Sequence, residues 1–140
     1  MNRNLLMVAV IIAMAFPTYA QVELTVTVTG IKENKGSIRV GLFKSENDFL
    51  KKAVYGEIVQ ATGPEVVVVF KNLPEGEYGL SVIHDENDNG ELDSNFMGIP
   101  KEGFAFGNDA MGTFGPPSYN DAKIKVDFKN VTQLIKMRYM

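Results

Sequence analysis

The sequence predicts an all-β protein, a seven-stranded antiparallel β-sandwich with one short helix and one long ordered loop. Two patterns carry that expectation: apolar and polar residues alternate with a period of two in short segments, and turn residues separate those segments at short intervals. A third observation sets the loop apart. Between His84 and Ala122 the alternation stops, and the chain becomes rich in Gly, Asn, Asp, Pro and Phe.

From Val22 to Thr29 every second residue is Val or Leu, with Glu and Thr between them, which is the pattern of a half-buried strand. Lys32 to Gly36 reads as a turn, and Ser37 to Lys44 as a returning strand with Ile38, Val40 and Leu42 on one side, so the two segments are expected to form a hairpin. Ser45 offers an N-cap hydroxyl, with Glu46 and Asp48 in the following turn, Phe49, Leu50 and Ala53 on one face, and Lys51 and Lys52 near the end; a short helix over the sheet is expected there. Strands follow at about Tyr55 to Ala61, Glu65 to Lys71 and Glu77 to His84, separated by Gly63-Pro64 and by Leu73-Pro74-Glu75-Gly76. Two more close the chain, one with Ala122, Ile124, Val126 and Phe128 on a common face, the other with Ile135, Met137 and Tyr139.

Arg3, the apolar run from Leu5 to Phe16 and the small residues up to Ala20 read as a signal peptide over residues 1–20, cleaved before Gln21. Twelve apolar residues in a helix span about 18 Å, too little for a hydrocarbon core of about 30 Å, so no membrane-spanning segment is expected after cleavage. Residues 21–140 then form a single periplasmic or secreted domain. One of the 14 basic residues lies in the leader, which leaves 13 against 17 acidic ones and a net charge of −4, a balance that disfavours nucleic-acid binding. The chain has no Cys and one His, which excludes zinc sites of the Cys/His kind, thiol nucleophiles and iron–sulfur ligation within one chain. Oxygen ligation is what is left for a metal.

Oxygen-bearing side chains stand at Asp85, Asn87, Asn89 and Asp93, positions 1, 3, 5 and 9 of a loop with Gly90 at position 6. This spacing begins a calcium loop: alternate side chains converge on one centre, glycine permits the reversal, and the Glu91 carbonyl supplies a further vertex. Position 12 is Phe96, where a bidentate carboxylate is expected, so other oxygens would have to come from Asn95, Asn108, Asp109 or Asp121. The competing reading is a polar turn held by its own Asn and Asp side chains.

His84 follows Tyr78, Leu80 and Val82 on the core face of a strand, where a packed, hydrogen-bonded histidine is expected. The catalytic alternative makes His84 a general base beside Asp85, with Ser81, Ser94 or Ser118 as nucleophile; a glycosidase pair of Asp85 with Asp93 or of Asp109 with Asp121 has less behind it. Phe104, Phe106, Phe114 and Tyr119, around Pro116-Pro117, could form an aromatic surface for a glycan, a peptide or an apolar small molecule. The favoured reading is that these rings plug the open end of the sandwich, because burying them orders the loop. The loop carries too much apolar surface to remain solvated, so an ordered excursion is expected either way.

The run Asn72-Leu73-Pro74-Glu75-Gly76-Glu77-Tyr78, the segment His84 to Asp93, then Asn95-Phe96-Met97-Gly98-Ile99-Pro100-Lys101-Glu102 and Phe114-Gly115-Pro116-Pro117-Ser118-Tyr119 resemble the bacterial secreted family known as domain of unknown function 2141. The resemblance covers essentially the whole chain after the leader and implies a small exported domain with no established activity. The Leu73 to Tyr78 turn and its strand also resemble transthyretin-like, prealbumin-like Greek-key sandwiches. Hydroxyisourate hydrolases on that fold use several His and Arg residues, and a chain with one His ending Met137-Arg138-Tyr139-Met140 does not carry the activity over. The sequence therefore reads as an exported, non-enzymatic binding or accessory module with a calcium-ordered loop presenting an aromatic surface. The alternative is a small periplasmic hydrolase centred on His84 and Asp85.

Overall fold

A computed structural model describes residues 22–140. The expected leader over 1–20 and its cleavage point lie outside the described residues. Strand β1 (Val22–Thr29) sits between β4 (Glu65–Leu73) and β8 (Val131–Lys136) in a three-stranded sheet. The second sheet has the order β3 (Tyr55–Gln60), β2 (Ser37–Phe43), β5 (Gly76–Asp85), with β6 (Gly103–Phe106) and β7 (Lys123–Val126) end to end along the outer edge of β5. The strict alternation of β1 appears directly as alternate burial, with Val22, Leu24, Val26 and Val28 in the core. They meet Val66, Val68 and Phe70 of β4 and, from the second sheet, Ile38, Val40, Leu42, Tyr78, Leu80 and Val82. Apolar area removed from water between the two sheets is the main stabilising term. Tyr78 is fully buried, and its hydroxyl donates to the Pro74 carbonyl at 2.7 Å, a tyrosine corner that pins the β4–β5 turn.

The all-β sandwich with one short helix is as expected, with five differences in detail. Among the described residues there are eight strands, because β6 lies inside the excursion. One pair is parallel, β1 with β8, so the sandwich is not antiparallel throughout. β1 and β2 do not form a hairpin; they belong to opposite sheets, since the seven residues between them cross the sandwich rather than reverse within it. The segment after Ser45 makes turns rather than a helix: the Asp48 N–H reaches the Ser45 hydroxyl as a cap would, but Leu50 adopts φ 59° and ends the winding. The helix is instead α1 (Tyr119–Ala122), whose first turn is capped by the Ser118 hydroxyl accepting from the Asp121 N–H. The final strand also starts earlier than its alternation suggests. β8 ends at Lys136, after which Arg138 bridges to Phe104 of β6 and ties the two sheets together.

A third layer covers the outer face of the second sheet. Phe43, Phe104 and Phe106 point away from the main core and pack with Phe49, Ala122 and Tyr119. Ring centroids lie 5.5 Å apart for Phe43 and Phe49, 5.8 Å for Phe49 and Tyr119, and 6.0 Å for Phe104 and Phe106, within the range of favourable edge and tilted contacts. Gly79 makes this approach possible: a Cβ there would stand 2.8 Å from the Tyr119 ring and 2.9 Å from that of Phe49. The excursion after β5 is thus ordered by its own aromatic residues.

Candidate functional site

His84 and Asp85 end β5 and, as neighbours on a strand, face opposite sides of the sheet. His84 is fully buried on the core side. Its Nε2–H donates to the Lys35 carbonyl at 2.9 Å, which leaves Nδ1 to accept from the Tyr139 hydroxyl at 2.8 Å. Tyr139 in turn accepts from the Lys32 N–H at 3.2 Å. Gly103, opposite His84, leaves room for the Tyr139 ring. Both imidazole nitrogens are therefore engaged, and Ser81, Ser94 and Ser118 make no hydrogen bond to the ring. Ser118 instead caps α1.

On the other side, the Asp85 carboxylate is fully buried and accepts from Arg39 Nε at 2.6 Å, from the Gly90 N–H at 2.8 Å and from the Asn89 N–H at 3.1 Å. Burial pushes its pKa up, but the N–H groups of Gly90 and Asn89 together with the Arg39 guanidinium outweigh it and hold the carboxyl below its usual value. Asp93 receives the side-chain amides of Asn87 at 2.6 Å and Asn89 at 2.9 Å, while the Asn89 carbonyl oxygen accepts from the Glu91 N–H. Asn87, Asn89 and Asp93 thus meet through their side chains, and Asp85 accepts from the backbone N–H groups of Asn89 and Gly90, which is the bonding of a polar turn held by its own Asn and Asp side chains. Among the described residues no group of three or more His, Cys, Asp or Glu side chains is placed to hold a metal ion.

The suggested additional ligands lie elsewhere. Asn95 caps its own turn through the Met97 and Ile99 N–H groups, Asn108 bonds Gln133 and the Asp121 and Lys123 carbonyls, Asp109 accepts from the Lys136 N–H, and Asp121 pairs with Ser118. Two residues that sequence reasoning passed over hold the loop: Arg39, and Glu102, whose carboxylate accepts from the N–H groups of Glu86 and Asp93, both at 3.0 Å. Arg39 looks like any outward residue of an alternating strand, and Glu102 stands alone after Pro100-Lys101; neither carries a motif signal.

Beside this loop, on the outer face of the second sheet, lies a cleft of about 890 Å³. Ser81, Ile83, Phe104 and Phe106 form its floor. One wall is Leu50 and Lys51 from the β2–β3 connection; the other is the excursion, through Gly90 to Leu92, Met97 to Pro100 and Met111 to Pro116. Of the four aromatic residues singled out above, Phe104 and Phe106 are buried, and Tyr119 packs on Phe49 with its hydroxyl donating to the Lys44 carbonyl. Phe114 is fully exposed at the cleft mouth. Met97, Ile99, Met111 and Met140 add further uncovered apolar surface to the cleft lining, and Phe96, the chain neighbour of Met97, is 97% exposed outside it.

Two sheets, a tyrosine corner and an aromatic third layer with a cleft define a transthyretin-like β-sandwich module. No described helix is long and apolar enough to cross a membrane. The chain belongs to the family described as an uncharacterized protein conserved in bacteria, DUF2141, whose model matches residues 26–133. No curated protein and no solved structure matches it.

Proposed function

We propose that this protein is an exported, non-enzymatic binding module that takes an apolar ligand in the cleft between the second sheet and the excursion. The supporting observation is the set of uncovered apolar side chains lining the cleft, Phe114, Ile99 and Leu50, together with Phe104 and Phe106 at its floor. Exposing whole phenylalanine rings costs free energy that covering them with an apolar ligand would recover. The volume falls in the range of small-molecule sites, about 300–1,000 Å³. Titration with the neutral fluorophore N-phenyl-1-naphthylamine tests this reading: saturable binding of one probe per chain is expected, weakened by Phe114→Ser and Ile99→Asp. Fluorescence that rises without saturation, or saturates equally in both variants, would refute it. The engagement of both His84 nitrogens, together with its separation from Asp85 across the sheet, favours this reading over a hydrolase.

The gathering of Asp85, Asn87, Asn89 and Asp93 supports a second role for the loop, calcium binding, since Gly90 and Glu91 of that loop also form part of the cleft wall. An ion bound only by the folded loop stabilises by RT ln(1 + [L]/Kd). For a Kd of about 0.1 mM at about 2 mM calcium this is roughly 1.8 kcal/mol, a rise of several degrees in Tm. Superimposable melting curves in calcium and in chelator would remove the metal from the account.

A further inference from the structure

We propose that the cleft mouth is also a site for a soft monovalent metal ion, Cu(I) or Ag(I), held by the thioether sulfurs of Met97, Met111 and Met140. Four methionines occur among the described residues. Met137 is buried in the main core; the other three are 65%, 46% and 78% exposed, and all three line this one cleft. They reach it from separate parts of the chain: the turn after Asn95, the stretch following the 3-10 turn at Gly107–Asp109, and the segment beyond β8. Packing does not account for their position, because none of the three is buried.

The chemistry of the donor set selects the ion. A thioether is neutral and polarisable, a good partner for Cu(I) and Ag(I) and a poor one for calcium, magnesium or zinc. No cysteine competes for a soft metal, and the one histidine has both nitrogens occupied in the core. Each sulfur is carried on three rotatable bonds, which gives the three side chains lining this cleft the reach and freedom to adapt to an ion. The ring of Phe114, at the same mouth, offers a face to a bound cation.

Replacing methionine by leucine keeps the apolar wall and removes only the sulfur, so the metal site and the apolar-ligand reading can fail separately. The test is titration of the protein with Ag(I), a redox-inert probe, and with Cu(I) under anaerobic conditions against a chromogenic Cu(I) chelator. One ion per chain is expected at micromolar protein. Met97→Leu, Met111→Leu and Met140→Leu should each weaken Ag(I) binding by about tenfold, and the triple variant should lose it. Carbon-13 labelling of methionine methyl groups gives a readout in the unaltered protein: the signals of Met97, Met111 and Met140 should shift with the first equivalent of Ag(I), and that of Met137 should not. Three unshifted signals, or a triple variant that binds Ag(I) as tightly as the parent, would overturn the proposal.

Discussion

The residues of the three-stranded sheet that point away from the core are Glu23, Thr25, Thr27 and Thr29 of β1, Val67 and Val69 of β4, and Thr132, Leu134 and Lys136 of β8, and they face solvent. On the five-stranded sheet the corresponding positions hold Gly41 and Phe43 of β2, Gly79, Ser81 and Ile83 of β5, and Phe104 and Phe106 of β6, and the chain returns to cover most of them. Threonine and valine tolerate a bare, pleated surface. A face that combines glycine with phenylalanine needs another layer, the glycines giving it space and the rings giving it apolar contact. Where that layer is incomplete, the cleft remains.

The largest effect should come from breaking the third layer from below. Phe106→Ala is expected to cost about 3–5 kcal/mol, a loss comparable to a main-core truncation, in a single urea transition. A loss under about 1 kcal/mol would show that the excursion is only loosely attached. Asp85→Asn removes the charge that Arg39 and the loop N–H groups surround, and should cost about 2–3 kcal/mol at neutral pH. Because the native pKa of Asp85 is depressed, its contribution is present above the unfolded-state value of about 3.9 and is lost as pH falls through the lower native value; the variant should lack that part of the acid dependence. Identical stability-versus-pH curves for both proteins would separate the loop from the sheet.

On the core side of the same strand, His84→Ala should cost about 1–3 kcal/mol by leaving the Tyr139 hydroxyl and the Lys35 carbonyl unpaired. A variant of parental stability that had lost a measurable hydrolytic activity would reinstate the catalytic alternative. The smallest stability change, within about 0.5 kcal/mol, is expected for Leu134→Thr on the bare face and for Phe114→Ser at the cleft, and only the second should alter fluorophore binding.

Strands that bury one face were legible as alternation, and so was the core-facing His84. β6 was hidden because all four of its residues are buried, which erases the period of two. The division of β1 and β2 between sheets is decided by long-range packing that neighbouring segments do not encode. In the Asp85 to Asp93 loop, Asn87, Asn89 and Asp93 stand within hydrogen-bond reach of one another, as nearby residues of a tight loop do; the guanidinium that pairs with Asp85 comes from Arg39, 46 residues earlier. The exposure of Phe114 beside the burial of Phe104 and Phe106 is likewise set by tertiary contacts, since all three look alike in the sequence.

The parallel pairing of β1 with β8, from Leu24 opposite Val131 to Thr29 opposite Lys136, has a mechanical consequence. Tension applied through residues before β1 and after β8 pulls the two strands in opposite directions along their length. Their hydrogen bonds then lie across the load and must be sheared together, whereas an antiparallel terminal pair pulled from one end would unzip bond by bond. The same geometry makes resistance a matter of unfolding rate under force rather than of equilibrium stability.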